Sequence, residues 1–404
     1  MISARWRPWL YVIIGILLLT LSAGTRQSFG LFLRPISGAL GFGREVFALS
    51  LAVQGLILGL CTPFTGMIAD KFGVTRVLIG GALLYALGMY GLAFAVTPLS
   101  FHLSAGLLIG LGLAASSNVI IMGAVARSVS DNRRSQALGA LISGGAMGRL
   151  VVMPLAQVLI AGYGWQTAVG ALGTLLLLSV PLAFTFRASR GTSGSGAVGQ
   201  SLADALREAA AHRGYRLLTA GFFVCGFHVS FIGVHLPAFV VDQGFSPAAG
   251  ATALWLIFLF NIFGAYTWGH LGGLFPKKRL LSTIYLSRAA LFTGFLLVPP
   301  TQAAIYAFAG LIGFLWLGTV PLTNGLVGQI FGLRYLSTLY GIVFMSHQFG
   351  NFMGSWLGGY VFDLTGSYDL MWYLSIALGL ASAALHWPID DRAVKRPEPA
   401  GQPA

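Results

Sequence analysis

The sequence predicts an all-α membrane protein in which twelve transmembrane helices form two pseudo-symmetric six-helix halves. Composition supplies the first reason: hydrophobic residues make up 56% of the 404 positions and charged residues only 9%, too little polar surface for a soluble fold. The second reason is length. About twelve apolar runs of roughly 18–26 residues succeed one another, each enough for a helix to cross the hydrocarbon core. The third is an internal repeat. Gly66 and Arg76 recur as Gly269 and Arg279, and Leu108-Ile109-Gly110 as Leu311-Ile312-Gly313, both 203 positions on. Ser135, Gly139 and Gly148 recur 202 positions on as Ser337, Gly341 and Gly350.

Residues 1–186 make the first half, with spans 1 to 6 at 9–33, 46–69, 77–96, 102–126, 135–161 and 165–186. Their Gly and Pro are tolerated because neighbouring helices re-satisfy the backbone. Span 1 is too long for a signal peptide and no small-residue cleavage site follows it, so it is expected to remain as a helix. Residues 187–215 are a polar connection that opens as a flexible Ser/Gly linker, Gly191-Thr-Ser-Gly-Ser-Gly196. Ser201-Leu-Ala-Asp204 resembles a helix N-terminal capping box. Leu202, Ala205, Leu206 and Ala209 then follow at the spacing of a short amphipathic surface helix. Residues 216–390 make the second half, with spans 7 to 12 at 216–241, 248–271, 280–298, 303–328, 336–360 and 369–388. Residues 391–404 read as a disordered tail.

The net charge of +13 is a matter of topology. Nineteen of the 24 Lys and Arg lie at the termini or in even-numbered connections, and only Arg34 and Arg44 lie in the opposite loops. The positive-inside rule then predicts a multi-pass protein of the cytoplasmic (inner) membrane with both termini in the cytoplasm, and gives no footprint for nucleic acid. Cys61 and Cys225 fall within apolar runs and imply no disulfide. No phosphate-binding loop, nucleophile motif or metal cluster is evident, so neither an enzyme, a cofactor, a metal site nor ATP drive is expected.

Six ionisable side chains sit deep inside the apolar runs, and all are basic or can become so: Arg26, Arg149, His228, His235, Arg288 and His347. The eleven Asp and Glu lie in loops or at the ends of runs. Charge at membrane depth is expensive and marks a pathway or binding site, and a cavity lined by cations suits an anion. Arg149, midway along span 5, has Asn351 of span 11 as its repeat counterpart. It either faces a central site or is bonded to a carbonyl that Pro154 frees. Arg26 in span 1 either captures a carboxylate through its planar fork or extends to the interface. Asn118, Asn261 and Asn351 are candidates to orient a substrate or to bond between helices. Tyr266 is a candidate wall residue. His228 and His235 share a face of span 7. With His347 they are the groups that titrate near neutrality, hence candidate proton carriers or hydrogen-bonded packing residues. Arg288, central in span 9, reads as either a functional cation or a brace on buried carbonyls.

Between spans 2 and 3, Gly66-Met-Ile-Ala-Asp70-Lys71-Phe-Gly73-Val-Thr-Arg76 resembles the loop signature of the major facilitator superfamily. Its second copy, Gly269 to Lys277-Lys278-Arg279, has Gly273 in place of the Asp. Ser28-Phe29-Gly30-Leu31-Phe32 and Gly110-Leu-Gly-Leu-Ala-Ala-Ser-Ser-Asn118 are similar to the monocarboxylate porter and oxalate/formate exchanger branch, although Asn261 to Gly269 lacks the Arg that many members carry in span 8. The resemblance implies two halves rocking about a midplane site, with every third helix peripheral, which places Arg288 among structural residues. It implies a secondary active transporter of a small organic anion, a carboxylate, working as a monomer in the lipid bilayer. Arg149 and Arg26 would hold the anion and a histidine would carry a coupled proton. Anion exchange, a proton-driven exporter of amphipathic compounds and a membrane sensor are the alternatives. An exporter ordinarily needs a membrane-embedded Asp or Glu, and none is evident.

Overall fold

The computed structural model describes residues 7–128, 131–188, 201–332 and 335–394. Its regular elements are helices. Span 1 is α1 (Arg7–Gln27), a 3-10 turn (Phe29–Phe32) and α2 (Leu33–Leu40); spans 2 and 3 are α3 (Arg44–Phe72) and α4 (Val74–Ala93). Span 4 is made of α5 (Pro98–Phe101), a π-helical turn (His102–Leu108), α6 (Ile109–Ala115) and α7 (Asn118–Ser128). Spans 5 and 6 follow as α8 (Asp131–Leu177), extended by α9 (Ser179–Ala183). The surface helix α10 (Leu202–Ala211) precedes α11 (Arg213–Asp242), α12 (Pro247–Leu274) and α13 (Lys277–Leu297), which are spans 7 to 9. Span 10 is α14 (Gln302–Phe314) with α15 (Thr319–Phe331), and spans 11 and 12 are α16 (Leu336–Thr365) and α17 (Asp369–His386).

Backbone chemistry explains where these helices stop. A continuous α8 would be about 70 Å long, more than twice the hydrocarbon core. Gly164 breaks it with φ 81°, a left-handed conformation that costs glycine no Cβ clash. The stretch before the break packs on α1 and the stretch after it on α4, where Thr174 meets Tyr90 at 2.8 Å. Gly73, at φ 95°, turns α3 into α4 in a single residue. Ser201 Oγ accepts from the Asp204 N–H at the start of α10, whose Ala205 and Ala209 are buried.

At two of its glycine pairs the sequence repeat is a repeat of close contacts. A methyl group on Gly110 of span 4 would stand 3.0 Å from Ile57 of span 2, and one on Gly313 of span 10 would stand 2.5 Å from the Ile257 oxygen of span 8. Gly148 of span 5 lies against Thr20 of span 1, and its counterpart Gly350 of span 11 against the Phe223 carbonyl of span 7. Between membrane helices, where lipid is as apolar as leucine, such close backbone approach supplies the packing energy.

The halves are joined on the side away from the termini, called here the far face. Arg44 Nη1 and Nη2 donate to the two Asp242 carboxylate oxygens at 2.6 and 2.8 Å, and the N–H groups of Arg44 and Glu45 donate to Asp363 at 2.9 and 2.8 Å. Trp356 Nε1 donates to Glu45, and Ser355 Oγ donates to the Ala48 carbonyl. Deeper, Gln348 Nε2 donates to the Gly55 carbonyl at 2.9 Å and Trp255 Nε1 to that of Leu150 at 3.1 Å. These contacts tie the two halves together at the far face.

Candidate functional site

Arg26 falls in the last turn of α1, because the α-helix of span 1 gives way at Ser28 to a 3-10 turn. The carbonyl end of a helix favours a cation there. The inner side of α8 presents Arg149, while Met147 and Val151, two residues to either side, are 60% and 66% exposed on the opposite face. The Arg149 guanidinium lies 5.8 Å from the Phe258 ring of α12, across the boundary between the halves. Both arginines are partly buried. Arg26 is the charged neighbour of Arg149, and among the described residues neither guanidinium is paired with an acidic side chain. The Arg149 Nε is buried without a partner.

Asn351 comes from the second half to the same place. A side-chain carbon on Gly55 would stand 3.4 Å from Asn351 Nδ2 and 3.6 Å from Arg26 Nη2. Spans 1, 2, 5 and 11 thus converge near mid-depth on two free guanidinium groups and one amide. Such a group of donors, with no carboxylate of its own, can chelate an anion.

Other sequence candidates are not brought to this point. Asn261 is 5% exposed and its Oδ1 accepts the Leu317 N–H at 3.1 Å, so it caps the interruption in span 10 and is not free to orient a ligand. Tyr266 is 79% exposed and stacks on His270 one turn along α12, so its place is an open flank of the helix. Asn118 is exposed at the start of α7, just past the interruption of span 4. Of the loop motif, Gly73 makes the tight turn, Gly66 has open space around it, and Lys71 and Arg76 are exposed. The Asp70 side chain lies outside what the structure describes.

The histidines separate by environment. His228 is sealed within the second half, its Nε2 on the Ser375 carbonyl at 2.9 Å and its ring edge-on to Phe292. His347 is 6% exposed, with Nδ1 3.1 Å from Gln348 Oε1, one residue from the contact with Gly55. His235 meets the Ser355 carbonyl through Nε2 at 2.8 Å and the Tyr368 hydroxyl through Nδ1 at 3.1 Å. Arg288 donates from Nη2 to the Leu315 carbonyl at 2.6 Å and to that of Trp316, so it stabilises the carbonyl end of α14.

Sequence reading missed Gln348, Tyr85 and the far-face latch. Tyr85 is fully buried in α4 and donates to the Ser22 carbonyl at 3.3 Å. Arg34 and Arg44 stood out as the only basic residues of their loops, a signal that could have directed a search for acidic partners at the ends of spans 7 and 11. A cleft of about 510 Å³ opens at the far face, lined by Gly30, Arg34, Arg44, Gln157 and Pro237 among others. Neither Arg26 nor Arg149 lines it, so it is separate from the central group.

The sequence model of the Major Facilitator Superfamily matches residues 12–355. The chain is 23% identical to the uncharacterized MFS-type transporter YcxA of Bacillus subtilis over 91% of each chain. It is 25% identical to monocarboxylate transporter 13 of Bos taurus, covering 93% of this chain and 88% of that protein. To monocarboxylate transporter 4 of Rattus norvegicus it is 26% identical, over 88% and 77%. Among solved structures it is similar to a bacterial homologue of the human lysosomal transporter Spinster, with a TM-score of 0.72 and 13% identity over 95% of both chains.

Proposed function

The chain belongs to the Major Facilitator Superfamily, and on that premise we propose that it is a secondary active transporter carrying a small organic anion, a carboxylate, by alternating access and with proton symport. One observation carries the reading: two guanidinium groups, Arg26 and Arg149, converge at mid-depth with no acidic partner among the described residues, and Asn351 reaches them from the other half. A charge left unpaired in that setting is costly, so an arriving carboxylate is bound by replacing its water with fixed donors. An anion held by spans 1 and 5 on one side and span 11 on the other links the halves, which then rock as bodies about it. The similarity to monocarboxylate transporters supports a carboxylate over other anions. Among the described residues no acidic side chain belongs to the group, which disfavours a cationic drug as cargo.

The proton is assigned to one of the histidines of spans 7 and 11, because Arg stays charged throughout the working range. The terminal face is assigned to the cytoplasm of a cell inner membrane and the far face to the outside, and the chain is expected to work as a monomer. Uptake of a labelled panel of mono- and dicarboxylates into proteoliposomes, with and without an inward proton gradient, tests the whole reading. At least one carboxylate should accumulate, faster with the gradient. Accumulation of amphipathic cations and no carboxylate would overturn it, and carboxylate counterflow insensitive to the gradient would replace symport by exchange.

A further inference from the structure

A chain of four hydrogen-bonding groups runs from the interior of the second half to the latch at the far face. His235 Nε2 lies 2.8 Å from the Ser355 carbonyl, which only accepts, so Nε2 carries the hydrogen and Nδ1 of the neutral ring is an acceptor. The hydroxyl 3.1 Å from Nδ1 belongs to Tyr368, in the turn between α16 and α17. Burial pushes that phenol above its ordinary titration range, so it keeps its hydrogen and donates it to His235. The same oxygen accepts from Arg44 Nη1 at 2.9 Å. Arg44, in the other half, is also held by Asp242, by Asp363 through its backbone N–H, and by the Phe362 ring face at 3.6 Å. His235 is 1% exposed and Gly358 gives it room: a methyl group there would stand 2.5 Å from the imidazole ring.

Resting on the alternating-access reading, we propose that His235 is the positioning residue that couples a proton to opening of the far face, acting through Tyr368 on Arg44. Protonation at Nδ1 turns the ring into a donor on both sides. Tyr368 oxygen then faces donors from His235 and from Arg44, and its own hydrogen loses its acceptor. The imidazolium also sets a second positive charge on the Arg44 side of the ring. Competition with the imidazolium N–H weakens the Arg44–Tyr368 bond, which leaves Arg44 held by its exposed carboxylate contacts, beside the Trp356, Ser355 and Gln348 hydrogen bonds that also join the halves. The charged groups around the relay are Arg44 and Glu45 from α3, Arg34 from α2, Asp242 from α11 and Asp363 from α16. Release of the proton restores the acceptor and the latch closes. The direction suits uptake: acid outside favours the outward-open state, and a less acid interior favours closure.

The distance between spin labels at Ala39→Cys and Ala248→Cys tests this. Both positions are exposed at the far face, one in each half, and Cys61 is replaced by Ser while the buried Cys225 is retained. In lipid nanodiscs a long-distance population should grow as the pH is lowered, because an imidazole gains a charge with its proton. Tyr368→Phe keeps the ring packing and removes the relay, and should abolish that pH response. His235→Gln should abolish it too. Arg44→Gln removes the latch and should show the long distance at high and low pH alike. A pH response that survives both Tyr368→Phe and His235→Gln overturns the inference, and its loss in Asp242→Asn would assign the proton to that carboxylate. No pH response in the parent, with opening in Arg44→Gln, overturns the inference and leaves alternating access standing. No opening in any variant would overturn both.

Discussion

Arg26 and Asn351, carried by opposite halves of the chain, meet over the backbone of Gly55: a side-chain carbon placed there would stand 3.6 Å from Arg26 Nη2 and 3.4 Å from Asn351 Nδ2. The glycine leaves open the space in which a guanidinium and an amide from two moving bodies can hold one ligand. Gly55→Ala adds a methyl group at ordinary contact distance and should leave both folding and carboxylate uptake in place. Gly55→Leu fills the space between the two donors and should abolish uptake without lowering the unfolding temperature of the empty protein. Uptake by Gly55→Leu at the parental rate would move the ligand elsewhere.

Arg149 should show opposite effects on stability and on binding. Its Nε is buried without a partner and its charged neighbour is another cation, so the empty protein bears the cost of a poorly solvated charge. Arg149→Met should raise the unfolding temperature of the empty protein or leave it unchanged. Binding should weaken by roughly 2–5 kcal/mol, a tens- to thousands-fold loss in affinity, as expected when one partner of a desolvated charge pair is removed. Ligand-induced thermal shifts measure both. A large loss of stability in the empty protein would instead mark Arg149 as a brace.

His228 should be silent in coupling. Its partners are the Ser375 carbonyl and the Phe292 ring, both within the second half and away from Arg26 and the latch. His228→Phe removes one donor to a buried carbonyl, which costs about 1 kcal/mol, and should lower the unfolding temperature modestly. The dependence of uptake on external pH should keep its parental shape. A flattened profile would return His228 to the proton path.

Spans, repeat and central arginines were legible in the sequence for one physical reason: each is a departure from, or a continuation of, apolar composition. Arg26 and Arg149 stand out because charge is rare at that depth, and Asn351 was found through the repeat that pairs it with Arg149. What was not legible depends on rotation and register. Asn261 and Tyr266 sit on one helix, yet the first turns inward to the Leu317 N–H and the second outward to an open flank. Hydropathy is also blind to a backbone interruption inside an apolar run. Span 10 read as one helix, and the break at Leu315–Gly318 decides what Arg288 and Asn261 do. The latch joins Arg44 to Asp242 and Asp363, acids that looked like ordinary ends of spans until folding brought them together.

The placement of basic residues gives a topological prediction. Nineteen of the 24 Lys and Arg lie at the termini or in connections on the terminal side, and cytoplasmic loops carry that excess. Reporter fusions at Ser193 and after Ala404 should both report the cytoplasm. An external signal from either would reverse the faces, and Arg44 would then latch the cytoplasmic side.

Two glycines of the repeat, on the same helix, should respond to alanine in opposite ways. Gly350 lies against the Phe223 carbonyl and the Phe227 N–H, so a methyl group there has no flexible side chain to push aside and must separate α16 from α11. Gly341, nine residues earlier on α16, has nothing within 4 Å of where its Cβ would stand. Overpacking a rigid contact costs roughly 1–3 kcal/mol, whereas alanine for glycine in an unobstructed helix interior gains up to about 1 kcal/mol of propensity. Gly350→Ala should therefore lower the unfolding temperature in detergent and Gly341→Ala should raise it slightly. Because α16 also meets α3 across the boundary between the halves, Gly350→Ala should weaken the far-face contacts as well, which the spin-label distance would register as a broader distribution. Equal effects of the two substitutions would mean that the repeat is a pattern of composition, and that close backbone approach at Gly350 does not hold the second half together.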